Sequence, residues 1–175
     1  SGLPNFIIRF YVNQLVDAME YMNECGYCHC DLKLENLLLD KCFNLKVTDF
    51  GCLNFLNKCT NNIDKGKVFG TEQYIAPEIL QGSNSPNLKS DYFSLGVCIF
   101  LMYFGFFPFE KASMTDKDYK YFIMKKPMVF WKNVQKKSNR DIDEGFRELL
   151  TGLFDIDQSK RFKYLDVVNW LENGD

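Results

Sequence analysis

Histidine is nearly absent from this sequence, with one residue, His29, in 175. Cys25, Cys28, His29 and Cys30 are crowded together, but only one C-x-x-C is present, with no second pair at a finger-like distance, so they do not make a zinc site. The seven cysteines are an odd count with no secretory signal pattern, which excludes a disulfide framework and places the chain in a reducing, cytoplasmic compartment. There is no basic run with interleaved aromatics, and 21 basic against 23 acidic residues leave a net charge of -2, so nucleic acid is excluded as a partner. Internal repeats and low-complexity linkers are missing too. The first residue is serine rather than methionine, so the chain reads as a segment of something longer or as a processed product.

Charge is also missing from residues 92 to 109, a run within the length range of a membrane span. Gly96, Gly105, a serine and Pro108 interrupt the run, and a helix apolar all round is equally at home in a large core. The run is therefore read as a buried helix, with no membrane partner. A hydrophobic fraction of 46% permits such a core in one domain spanning 1–175, and 25% charged residues keep its surface wet.

Most of the remaining chain has helical spacing. Asn5 to Cys25 carries Tyr11, Leu15, Ala18 and Met22 on one face and stops at Gly26, a natural C-cap. Ile142, Phe146, Leu149, Leu150 and Leu153 give another amphipathic helix, and Leu165, Val168 and Leu171 a short last one. From Phe50 to Ala76 the chain is polar and aperiodic, with Asn54, Asn57, Asn61, Asn62 and Gly66. Loops of that length in compact domains are often functional.

The chemistry concentrates between residues 29 and 51. Leu37-Leu38-Leu39 and Leu45-Lys46-Val47-Thr48 flank a polar turn containing Asp40, Lys41 and Asn44, which predicts a β-hairpin. A hairpin returns the chain to its start, so Asn36 and Asp49 come out side by side at its open end. One amide oxygen and one carboxylate suit Mg²⁺, which takes few protein ligands and fills its shell with water and phosphate oxygens. Asp31 and Lys33 lie on the loop entering the hairpin. The carboxylate can accept a hydroxyl proton, and the ammonium can neutralise a transferring phosphoryl group.

These residues resemble the C-terminal lobe of a eukaryotic protein kinase over nearly the whole chain. His29 to Asn36 matches the catalytic loop H-R-D-x-x-x-x-N, Asp49-Phe50-Gly51 the D-F-G, and Ala76-Pro77-Glu78 the A-P-E. The resemblance implies a mainly α lobe with a small β-hairpin at the catalytic loop. It also implies ATP and Mg²⁺ as cofactors and a protein substrate phosphorylated on serine or threonine. Asp31 would be the catalytic base, Lys33 the serine/threonine-type lysine, and Asn36 and Asp49 the metal ligands. Leu38 would be the floor under adenine. Thr71, in Gly70-Thr71-Glu72-Gln73-Tyr74-Ile75, would bridge Asp31 and Lys33. Asp91 would anchor the catalytic loop, Arg161 would pair with Glu78, and His29 beside Phe50 would be packed rather than catalytic. Glu35 would favour basic residues before the phosphorylated one, although Leu101 stands where a second acid is expected. Val68, Glu72 and Ile75 would line the pocket for the residue that follows. The wording of the loop most resembles the calcium/calmodulin-dependent and AMP-activated kinase-like group.

Two departures qualify the resemblance. Nothing before His29 resembles the glycine-rich loop, the strand lysine or its glutamate, so the N-terminal lobe is a missing partner and the segment alone should transfer phosphate poorly. A truncated, pseudokinase-like protein-binding module is the competing reading. In addition, Cys30 replaces the arginine that pairs with a phosphorylated activation loop, and Lys67 stands where the phosphothreonine is expected. Cys52, following the D-F-G, is the thiol placed for reactivity near a metal unless burial holds it inert. Thr60 is a remaining phosphorylation site in the loop. Its phosphorylation should leave the phosphotransfer rate within about twofold; a many-fold rise abolished by Thr60→Ala would show that the switch is in use.

Overall fold

The computed structural model describes residues 2–55, 71–82 and 86–173. The expectations for Asn57, Thr60, Asn61, Asn62, Gly66, Lys67 and Val68 lie outside them.

Helix α1 (Asn5–Glu24) ends at Cys25, and Gly26 follows with a φ of 83°, a left-handed turn that glycine adopts without a Cβ penalty. Its buried face is Ile8, Val12, Leu15, Val16 and Met19. Of the predicted stripe only Leu15 is fully buried, while Tyr11, Ala18 and Met22 flank it. The β-branched Ile8, Val12 and Val16 fill the seam instead.

Strand β1 (Tyr27–Cys28) pairs antiparallel with β4 (Asn54–Phe55), matching Tyr27 with Phe55 and Cys28 with Asn54. Strands β2 (Leu37–Leu39) and β3 (Leu45–Val47) form the predicted hairpin, with Leu37 opposite Val47 and Leu39 opposite Leu45. Asp40 organises its turn: one carboxylate oxygen accepts from the backbone N–H groups of Cys42 at 2.8 Å and Asn44 at 2.9 Å. The Leu45 N–H donates to Gln14 Oε1 at 2.8 Å, which fastens the hairpin to α1. The β1 and β4 pair was not apparent from sequence, since two-residue strands carry no alternation to read.

Helix α2 (Pro77–Leu80) starts with proline at its first position, where the missing N–H costs nothing. Helix α3 (Leu88–Phe104) covers most of the uncharged run. Asn87 caps it by accepting from the Lys89 N–H while Ser90 Oγ accepts from the Asn87 N–H, and Gly105 closes it at a φ of 75°. Nearly every α3 side chain from Ser90 onward is buried, and its aromatics form the centre of the core: Phe93 meets Phe109, Tyr119 and Phe154, and Phe100 meets Phe130 and Phe154. Among the described residues no helix is long and apolar enough to cross a membrane.

Helices α4 (Lys120–Ile123) and α5 (Pro127–Ser138) were not read from the sequence. Helix α6 (Glu144–Leu153) buries the predicted Phe146, Leu149, Leu150 and Leu153, and Asp143 caps it by accepting from the Phe146 N–H at 2.7 Å. Helix α7 (Tyr164–Glu172) exists as expected but faces differently. It buries Val167 and Trp170, whereas Leu165 is exposed; the Trp170 ring lies 6.0 Å from that of Phe146, with Arg9 of α1 4.0 Å over it. The result is the expected mainly α lobe with a small β-hairpin at its loop edge.

Arg161 ties the A-P-E segment to this helical body. Its Nη1 and Nη2 donate to the two Glu78 carboxylate oxygens at 2.7 and 2.8 Å, and its remaining N–H groups reach the carbonyls of Asp155 and Lys89. With Arg161 at 2% exposure, the pair has little water to replace either partner. Glu78→Ala leaves the guanidinium charged and buried, so it is expected to cost about 3–5 kcal/mol in urea denaturation. A loss under about 1 kcal/mol would mean the pair is dispensable.

Candidate active site

The loop between β1 and β2 is held from below by Asp91 of α3. Its Oδ2 accepts from the His29 N–H at 2.6 Å and its Oδ1 from the Cys30 N–H at 2.9 Å. The two successive donors fix the backbone just before Asp31. Cys30 takes a φ of 68°, a left-handed conformation that turns the chain sharply there. Such strain persists where surrounding contacts over-determine the backbone.

His29 adds a cross-tie. Its Nδ1 accepts from the Asp31 N–H at 3.3 Å, which puts the ring proton on Nε2, and Nε2 donates to the Thr48 carbonyl at 3.0 Å. The ring is buried 5.6 Å from that of Phe50. Both nitrogens are thus engaged in structure, as expected of a packed residue. Among the described residues no group of three or more histidine, cysteine or acidic side chains is placed to hold a metal ion.

The expected catalytic groups meet on this frame. Lys33 Nζ lies 2.7 Å from Asp31 Oδ2. The hydrogen bond that Lys33 donates to Asp31 holds its ammonium above its ordinary value; burial opposes this, and the charges of Asp31, Glu35 and Asp49 reinforce it. Asn36 is buried, and its Nδ2 donates to the Asp31 carbonyl at 2.9 Å, which leaves the amide oxygen available as an acceptor. The Thr48 N–H and Oγ1 both donate to the Asn36 carbonyl, at 2.9 and 3.0 Å, and place Asp49 beside Asn36. Asp49 is exposed, with a φ of 63°, and accepts from the Gly51 N–H at 3.3 Å. An amide oxygen and an open carboxylate at one edge are a hard donor set that fits Mg²⁺.

The substrate-side residues are placed less uniformly. Thr71 and Ile75 share one small cavity with Cys30, Asp31, Leu32 and Tyr74. No hydrogen bond among the described residues joins the Thr71 hydroxyl to Asp31 or Lys33, so the expected bridge is not formed here. Glu35 is exposed and accepts from the Tyr74 hydroxyl at 3.2 Å, a positioning contact that the sequence did not suggest. Leu38 is 54% exposed, and Phe50, next to Asp49 in the chain, is 52% exposed. Cys52 is half-buried, and burial, with the charges of Asp31 and Asp49, pushes its thiol up, which disfavours the thiolate. A hollow of about 610 Å³ lies elsewhere, lined by residues of α1, α6 and α7 that include Arg9, Asp143 and Trp170, and none of the catalytic candidates lines it.

Burial pushes the Asp91 carboxyl up from 3.8 to about 6, against the pull of the Cys30 and His29 N–H groups. Because the folded value is raised, the native state holds this proton more tightly than the unfolded chain between about pH 4 and 6. The protein should therefore gain stability over its Asp91→Asn variant as pH falls through that window, by about 2 kcal/mol between pH 7 and pH 4 in urea denaturation. A gap that narrows toward acid would show that the two N–H bonds outweigh burial.

Comparison with known proteins agrees with this geometry. A family model described as protein kinase domain matches residues 1–170. The human testis-specific serine/threonine-protein kinase 3 is 32% identical over 171 residues, covering 96% of this chain and 58% of that protein. The serine/threonine-protein kinase CHK1 of Saccharomyces cerevisiae is 33% identical over 133 residues, 74% of this chain and 25% of that one. The CBL-interacting serine/threonine-protein kinase 15 of Arabidopsis thaliana is 36% identical over 110 residues, 63% of this chain and 26% of that one. The chain spans less than two thirds of the length of each. A packed His29, a loop held by a buried aspartate, a buried Glu78 to Arg161 pair and this breadth of similarity lead to one conclusion: the chain belongs to the eukaryotic protein kinase family.

Proposed function

We propose that residues 1–175 act as the C-terminal lobe of a serine/threonine protein kinase that transfers the ATP γ-phosphate to a protein hydroxyl. The observation that carries this reading is that Asp31, Lys33, Asn36 and Asp49 occur together, the first three hydrogen-bonded to one another and Asn36 tied to Thr48, the residue before Asp49. A protein-binding module has no physical need for that set of four.

Each residue has a distinct task in this reading. Asp31 orients the attacking hydroxyl and takes its proton. Lys33, already a firm ammonium, balances charge on the phosphoryl oxygens. Asn36 and Asp49 would hold Mg²⁺, which when bound neutralises the developing phosphate charge. Leu38 would meet the adenine, and its exposure leaves it open to a ligand or to a covering lobe. Phosphoryl transfer depends almost wholly on positioning and charge, so an N-terminal lobe over this edge is required for turnover. Glu35, steadied by Tyr74, presents an exposed carboxylate suited to a basic residue of the substrate, and Thr71, Ile75 and Val68 complete the substrate contacts. Cys30 carries no cation for a phosphorylated activation loop, so control of a non-arginine type follows.

The test is ATP phosphotransfer to a serine/threonine peptide with Mg²⁺, using the full-length protein. Asp49→Ala is expected to lower the rate by about a hundredfold or more, as removal of a preorganised charge-stabilising group does. Equal rates for the two proteins would instead favour the binding-module reading.

A further inference from the structure

Cys28 and Cys30 stand on the same loop, one residue to either side of His29, and their sulfurs lie 3.2 Å apart. The Cys30 thiol also folds back to within 3.5 Å of the Cys28 carbonyl, so its side chain is directed at its neighbour. Cys28 is buried at 1% exposure, while Cys30 is half-buried and open to small reagents. None of the six described cysteines is in a disulfide. Two thiols in contact, one shielded and one reachable, are the arrangement in which a first oxidation is resolved by a second sulfur.

We propose that Cys28 and Cys30 are a modification site, an oxidisable dithiol that hydroperoxides close to a disulfide in the catalytic loop. The Cys30 sulfur, as thiolate, attacks one peroxide oxygen; the O–O bond breaks, Cys30 becomes a sulfenic acid, and the leaving oxygen takes a proton to become water or an alcohol. The Cys28 sulfur then attacks the Cys30 sulfur. An S–S bond forms, the S–O bond breaks, and the hydroxyl leaves with the Cys28 proton as water. Two electrons pass from the dithiol to the peroxide. A thiol reductant reverses the change by exchange.

Closure has a mechanical consequence. A disulfide needs its sulfurs about 2.05 Å apart, so the two sulfurs must approach by about 1 Å from the present separation. Whatever share of that movement the backbone takes falls on the Cys30 peptide held by Asp91, which leads directly into Asp31. Displacements of that size in a positioned group lower rates by about a hundredfold. This consequence, unlike the disulfide itself, rests on the kinase reading.

The experiment treats the purified full-length protein with graded hydrogen peroxide, blocks remaining thiols with a maleimide, and digests with trypsin. The fragment from residue 10 to 33 holds Cys25, Cys28 and Cys30. It should lose two maleimides and two hydrogens at a dose that leaves the exposed Cys42 unreacted, and regain them after dithiothreitol. In Cys28→Ser the sulfenic acid on Cys30 should persist and be trapped by a 1,3-dione. Retention of all three maleimides, or a bridge to Cys25, overturns the proposal, and the native protein's pattern decides this even if the variant fails to fold. Phosphotransfer should fall about tenfold or more on closure and return on reduction; an unchanged rate with the disulfide formed overturns the control role. A reduced protein with no phosphotransfer at all would defeat the proposed function instead, with the maleimide pattern still deciding the dithiol.

Discussion

A single buried carboxylate sets the geometry on which the site depends. Asp91 projects from the apolar helix α3 and accepts hydrogen bonds from two consecutive loop amides, those of His29 and Cys30. Burying a carboxylate is costly unless it is hydrogen-bonded, so these donors have no substitute once the core closes around it. The loop is thereby referenced to the helix that carries the buried aromatic cluster around Phe93 and Phe100. From that anchor the chain turns at Cys30, and Asp31, Lys33 and Asn36 follow in fixed positions. His29 passes the constraint on to Thr48, and so to Asp49, across the hairpin.

The local parts of this arrangement were legible in the sequence. The hairpin is written in two apolar runs around Asp40 and Asn44, and its turn uses those residues' hydrogen bonds as their chemistry suggests. The faces of α1 and α7 were not legible. Both helices carry apolar residues in more than one stripe, and the choice of Ile8, Val12 and Val16, or of Val167 and Trp170, was made by the partners they pack against. The Tyr74 to Glu35 contact spans thirty-nine residues and leaves no local trace. The contact of Cys28 with Cys30 was not legible either, because it depends on the left-handed turn at Cys30. The crowding of cysteines around His29 raised zinc, and the structure commits both His29 nitrogens to hydrogen bonds.

The substitution of cysteine for arginine in the catalytic loop changes how such a site can be governed. An arginine before the aspartate couples the loop to a phosphate on the activation segment. Cys30 offers no charge for that coupling. In its place the structure puts a sulfur in contact with another sulfur, at the residue whose amide Asp91 grips. In the proposed account, chemical groups and control element thus share one short stretch of backbone.

The measurement that tests this account most directly is amide hydrogen exchange of the wild-type protein and its Asp91→Asn variant at neutral pH. The account predicts that the His29 and Cys30 amides lose protection in the variant while the buried amides of α3 from Val97 to Phe100 keep theirs. Unchanged protection at His29 and Cys30 would contradict it, because the loop would then be held by something other than the Asp91 carboxylate.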